Sequence, residues 1–311
     1  MEDQILRLLA ERGPQTGAGL REVLGDDGFA QWKACRRSDE VAIRTVGRRY
    51  LRLDQKVEGY ARLSPSILRE FLTYTVVGLS NDPAALESRA EALAARIAEI
   101  SAAKLKLARR IITEIGARVS GHETASDDEG TPGLDEERYC VLVAGDIVYG
   151  MGHDAPRPER STGRMVRGSD LDLVVIMHDE APEGLAKQLD DAIYQQKYRY
   201  LINPSIREEI DYTIKPLARL KEQAEFDTFK HMVPCKILDE ALLLYGSEVL
   251  YNAAKDLLNR GRVRERLAEM EQAAAKGRDL AEKHLLGRRE ESLGGEDLYL
   301  FHTSEESEEF E

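Results

Sequence analysis

Gly168-Ser169-Asp170-Leu171-Asp172-Leu173-Val174-Val175-Ile176 sets two carboxylates one residue apart at the head of an apolar, β-branched run. Such a run reads as a buried strand, and the side chains of a strand alternate between its faces. Asp170 and Asp172 therefore project together, about 7 Å apart along one face, while Leu171 and Leu173 point away from them. Two carboxylates so placed can share hard, oxygen-seeking cations, Mg2+ or Mn2+. Downstream, Arg207-Glu208-Glu209-Ile210-Asp211-Tyr212-Thr213-Ile214-Lys215 offers a third ligand: Ile210, Tyr212 and Ile214 share one face and Asp211 takes the other. Asp170, Asp172 and Asp211 are accordingly the candidate catalytic and metal-binding residues.

Two cations held by such a triad suit phosphoryl-type transfer. One neutralises the oxygens of a nucleoside triphosphate and its leaving pyrophosphate, and the other lowers the pKa of an acceptor hydroxyl and aligns it for attack. In that scheme Asp170 and Asp172 bridge both cations, while Asp211 holds the acceptor-side one and assists deprotonation. Asp-x-Asp at a strand start also occurs as a solvated edge, and half-exposed strands carry acids freely. What favours chemistry is the combination of Ser169, Asp170, Asp172 and Asp211 behind the strand Tyr139-Cys140-Val141-Leu142-Val143-Ala144, which ends in Gly145.

At these residues the chain resembles the DNA polymerase β-like nucleotidyltransferase superfamily. That pattern is a strand ending in Gly-Ser, a helix, Ser-Asp-x-Asp on a second strand, and a third Asp on a later strand. Gly145, Ser169-Asp170-Leu171-Asp172 and Asp211 match it over roughly 139–251. The resemblance implies a mixed-sheet core that transfers a nucleoside monophosphate from an NTP to a hydroxyl, with Gly145, Asp146 and Ser169 at the nucleotide. Two departures are visible. Asp146 stands where the pattern has Ser, so either its carboxylate joins the metal site or only its backbone N–H faces phosphate. The stretch Met151 to Arg167 is longer than usual and carries Arg157, Arg160, Arg164 and Arg167, candidate phosphate binders.

The expected fold class is α+β: a nucleotidyltransferase-like mixed sheet flanked by helices, preceded by a winged-helix-like domain and a helical connector. Residues 1–62 give three short helices. The first has Ile5, Leu8 and Leu9 as its stripe, the second is capped by Thr16 and closed by Gly25, and the third is capped by Asp26 or Asp27. Val41 to Thr45 and Tyr50 to Leu53 then read as a hairpin around Val46-Gly47-Arg48-Arg49. That element order resembles a winged helix-turn-helix. The connector, 63–118, starts helices at Ser64-Pro65 and Asp82-Pro83. A polar loop is expected at 119–134, the catalytic core at 135–252 with helices near 184–199 and 236–245, a helical region at 253–287, and an acidic tail at 288–311.

The formal net charge of −13 is unevenly spread. Residues 290–311 supply −9 of it, whereas Lys33 to Lys56 carries eight basic against three acidic side chains. Lys33, Arg36 and Arg37 on the third helix, with Arg48 and Arg49 at the wing, are candidate contacts to a nucleic-acid backbone. A winged helix that packs on protein is the plainer alternative. No apolar stretch approaches the ~20 residues of a membrane span, the acidic N-terminus is unlike a secretory signal, and three cysteines without C-x-x-C spacing suit a reducing cytoplasm. The expected protein is thus a cytoplasmic, metal-dependent nucleotidyltransferase whose acceptor is RNA, protein, a small molecule or another nucleotide. The alternatives are a catalytically degenerate nucleotide-sensing DNA-binding regulator and a component of a toxin–antitoxin or defence system. Nothing in the sequence sets the oligomeric state.

Overall fold

A computed structural model describes residues 1–119, 137–159, 163–288 and 293–302. In chain order the elements are α1 (Glu2–Arg12), β1 (Gln15–Thr16), α2 (Gly17–Leu24), α3 (Gly28–Arg37), β2 (Val41–Thr45), β3 (Tyr50–Leu53), β4 (Ala61–Ser64), α4 (Ile67–Tyr74), β5 (Thr75–Leu79) and α5 (Pro83–Val119). There follow β6 (Tyr139–Ala144), β7 (Pro156–Pro158), β8 (Met165–Arg167), β9 (Leu171–Met177), α6 (Leu185–Ile202), β10 (Ile210–Pro216), α7 (Leu217–Gln223), α8 (Phe229–Glu240), β11 (Leu242–Gly246), α9 (Glu248–Arg260), α10 (Val263–Gly287) and α11 (Glu296–Phe301). The chain is mixed α+β. Among the described residues no helix is long and apolar enough to cross a membrane. Among the described residues two compact units form, one from 1–98 with 269–302 and one from 99–268.

In the first unit the helix starts follow their caps. Thr16 accepts from the N–H of Gly19 at 3.1 Å and Asp27 from that of Ala30 at 2.9 Å, each silencing an orphan donor of the first turn. Asp82 does the same for Ala85 at 3.1 Å, with Pro83 leading α5. The expected hairpin is corrected. β2 does not pair with β3. It lies antiparallel to β5, from Val41↔Leu79 to Thr45↔Thr75, and β3 pairs with β4, from Tyr50↔Ser64 to Leu53↔Ala61. The reason is burial: Val76 and Val77 of β5 are 0% exposed, which a solvent-side wing would not allow. β5 also takes β1 on its other edge, giving the order β1-β5-β2. Ser64 belongs to β4, so the next helix starts later, at Ile67, with Ser66 as its cap.

The expected boundaries shift for the same reason. One core joins Ile5, Leu8 and Leu9 of α1 and Phe29, Trp32 and Cys35 of α3 to Ile67 and Phe71 of α4, beyond residue 62. Leu285 and Phe301 join it too. Part of the expected acidic tail is therefore α11, whose Phe301 ring meets Phe29 edge-on at 5.2 Å and Trp32 at 5.5 Å. Residues 289–292 and 303–311 of that tail, and 120–134 of the expected loop, lie outside the described residues; Val119 still belongs to α5. Phe301 is 2% exposed, so Phe301→Ala should lower the unfolding free energy by about 3 kcal/mol in a urea titration. An unchanged midpoint would mean that α11 contributes nothing to this core.

In the second unit β10-β9-β6-β11 form one mixed sheet. β9 and β10 are parallel, whereas β6 is antiparallel to β9 and β11 antiparallel to β6. Val141, Val143, Leu171, Leu173, Val175 and Ile210 line one face, packed under Ile111, Ile112 and Ile115 of α5 and Leu189 and Ile193 of α6. The helix expected near 236–245 ends at Glu240. Leu242-Leu243-Leu244-Tyr245 is instead a strand paired with β6, with Leu244 turned into the core; the apolar run is too short to define a period.

Candidate metal centre

The parallel register of β9 and β10 puts Asp211 directly beside Asp172. By strand alternation both lie on the face opposite the α5–α6 core, and Asp170 is the residue that leads into β9. One carboxylate oxygen from each of Asp170, Asp172 and Asp211 lies within 4.8 Å of the others. Asp172 is 5% exposed, while the side chains of Asp170 and Asp211 keep 33% and 28% of their surface. The cluster is thus closed underneath and open on one side. All three acids picked out by spacing in the sequence arrive together.

Three converging carboxylates repel one another unless cations balance them. Arg157 and Lys197 supply positive charge here. Arg157, on β7, reaches Asp170 at 3.3 Å and Glu209 at 2.8 Å, and donates from Nε to the Gly168 carbonyl at 2.8 Å. Lys197, on α6, donates to Asp211 Oδ1 at 2.7 Å. Glu209 is buried, which pushes its carboxyl up to about 7 against the opposing pull of Arg157. Behind it Glu208 forms a buried ion pair with Lys104, and burial raises its pKa as well. The acidic donor set fits a hard divalent cation, and the two basic side chains show how much charge it draws in.

Gly145 closes the site from β6. Its φ is +81°, and a Cβ there would fall 2.1 Å from Asp172 Oδ2, so the backbone approaches the carboxylate as only glycine permits. Its N–H donates to Glu240 at 3.0 Å; Glu240 also accepts from Tyr149 Oη at 2.7 Å and is paired with the buried Lys236. Asp146 follows in a 3-10 turn of 146–149, and its carboxylate accepts from Ser169 Oγ at 3.1 Å, with His153 Nε2 at 4.0 Å. The three residues expected at the nucleotide therefore sit around one turn, and the Asp146 carboxylate is bonded to Ser169.

Other sequence-derived residues fare differently. Of the arginines expected as phosphate binders, Arg157 is turned onto carboxylates, Arg164 and Arg167 are exposed, and Arg160 lies outside the described residues. The expectation of a five-residue basic surface is corrected at Lys33. Lys33 is 7% exposed and donates to the Arg288 carbonyl at 2.7 Å. Arg36 pairs with Glu282 at 2.9 Å, and Arg49 with Glu70 at 2.6 Å and Glu282 at 2.8 Å. Acids on α4 and α10 pair with Arg36 and Arg49, and the side chains of Arg36, Arg37 and Arg48 are exposed. Lys197, Glu209, Lys236 and Glu240 went unnoticed in the sequence. Lys197, Lys236 and Glu240 are single charges in charged helices, Glu209 precedes β10, and no spacing singles any of them out.

The chain matches no protein-family model, no curated protein and no solved structure. The functional reading therefore rests on the geometry of the site.

Proposed function

We propose that the chain is a metal-dependent nucleotidyltransferase. The observation that carries this reading is the convergence of Asp170, Asp172 and Asp211 from two hydrogen-bonded parallel strands. It is supported by the mixed sheet beneath them and by a glycine-ended strand, β6, whose turn lies against Asp172. Asp170, Asp172 and Asp211 would hold Mg2+ or Mn2+, which when bound would offset triphosphate charge and acidify an acceptor hydroxyl. Asp172, central and buried, fixes the donor set. Asp211, half-exposed and bonded to Lys197, would take the acceptor proton.

For the first unit, the order α1-β1-α2-α3-β2 with β1-β5-β2 in the sheet supports a winged-helix-like reading, with β5 as the partner of β2 and α4 packed into the core beside α1 and α3. Because Lys33, Arg36 and Arg49 are held by the chain itself, that unit suits a protein acceptor or partner better than a phosphate backbone. Buried Cys35, Cys140 and Cys235 suit a reducing, cytoplasmic setting. A second reading, nucleotide binding without turnover, draws on Asp146, which puts a carboxylate at the turn.

Pyrophosphate release from each labelled NTP, with Mg2+ or Mn2+ and cell lysate as acceptor source, tests the proposal. Release with label transfer is expected. Nucleotide binding without release would favour the second reading. Asp211→Asn should lower turnover about 10²–10⁴-fold, the range of a lost positioned base, with NTP affinity within about threefold of wild type. Equal loss of NTP affinity in the Asp170, Asp172 and Asp211 variants would contradict a separate acceptor-side role.

A further inference from the structure

Arg157 holds its place in the site at three points of unequal character. Two are anchors: Nε donates to the Gly168 carbonyl at 2.8 Å, and Nη1 pairs at 2.8 Å with Glu209, itself 4% exposed. The third, Nη2 to Asp170 Oδ2, is the longest at 3.3 Å, and its acceptor is the most exposed acid of the triad. A divalent cation on Asp170 would compete for that oxygen with twice the charge of a guanidinium. Losing this contact leaves both anchors intact, so the guanidinium need not move. Its Nη2 edge would then present N–H donors to the open side of the site in the planar geometry that suits a phosphate oxygen.

We propose that Arg157 is an exchangeable counter-ion, balancing Asp170 in the cation-free chain and passing its Nη2 edge to a nucleotide phosphate once Asp170 holds a cation. The proposal rests on the metal reading above. It also gives the ribbon β7–β8 a role, which is to carry to the acids the arginine that serves cation and anion in turn. A merely structural arginine would behave otherwise, because loosening the ribbon would weaken cation and phosphate binding together.

Titration calorimetry of the full chain with Mn2+ alone, then with inorganic triphosphate at saturating Mg2+, separates these cases. For Arg157→Gln, Mn2+ affinity should rise about tenfold, as one opposing charge leaves the site. Triphosphate affinity should fall at least about tenfold, as a charge-assisted hydrogen bond is lost. Arg157→Lys, which keeps a cation beside Glu209 but loses the fork, is the companion should the glutamine variant fail to fold. It should bind Mn2+ no more weakly than wild type and triphosphate several-fold more weakly. Triphosphate affinity unchanged in a folded variant, or Mn2+ affinity reduced with it, overturns the role of Arg157 alone. Absence of Mn2+ binding by the wild type overturns the metal reading as well.

Discussion

Asp172→Asn is expected to cut nucleotidyl transfer by at least about 10³-fold while leaving the fold intact. The side chain is isosteric and 5% exposed, so packing against Gly145 is kept and only the charge goes. That charge lies directly beside Asp211 across the parallel strands. Removing it weakens a ligand set of three at its buried centre, the point at which each invoked 1.4 kcal/mol is a factor of ten in rate. Thermal shift provides a second readout. Mn2+ with NTP at 100 times Kd should stabilise the wild type by about 2.7 kcal/mol, and Asp172→Asn should lose most of that gain. Asp170→Asn should do the same to transfer, since Arg157 stays anchored on Glu209. Full activity in both variants would remove the triad from the chemistry.

Gly145→Ala carries the second large effect. A Cβ would stand 2.1 Å from Asp172 Oδ2 on a backbone with φ +81°, so the carboxylate or the turn must shift. The conformationally matched control is Gly13→Ala, at φ +72° and ψ −168° against +81° and −162° at Gly145, with nothing within 4 Å of the added atom. Backbone strain alone should cost Gly13→Ala about 1–3 kcal/mol. Gly145→Ala should cost at least about twice that in urea denaturation, and lose nucleotidyl transfer besides. Equal destabilisation of the two variants, with transfer kept in both, would show that the turn does not set Asp172.

The site was more legible than the fold around it, for a physical reason. Asp170, Asp172 and Asp211 each lie in an apolar run of period two, and that period fixes which side chains share a face. Register then brings β9 and β10 together without further information from the loops. Pairing between strands distant in sequence has no such local signature. Val41 to Thr45 and Tyr50 to Leu53 look like a hairpin, yet β2 pairs with β5, thirty residues further on, where Val76 and Val77 are fully buried. Leu242 to Tyr245 is too short to tell strand from helix. The fate of the basic residues was likewise hidden: Glu282 lies far along the chain from Arg36 and Arg49, and only the packing of α10 in the first unit brings them together. Charge counted along a sequence says how much is present and not where it is already balanced.

Anomalous diffraction from crystals grown with Mn2+ and a non-hydrolysable NTP addresses the metal centre without any knowledge of the acceptor. The expected result is anomalous density about 2.1 Å from carboxylate oxygens of Asp170 and Asp172, with Asp211 ligating, and the triphosphate on the open side of the cluster. Crystals with ordered nucleotide bound elsewhere, no anomalous density at the triad, and Arg157 and Lys197 still paired to Asp170 and Asp211 would contradict it.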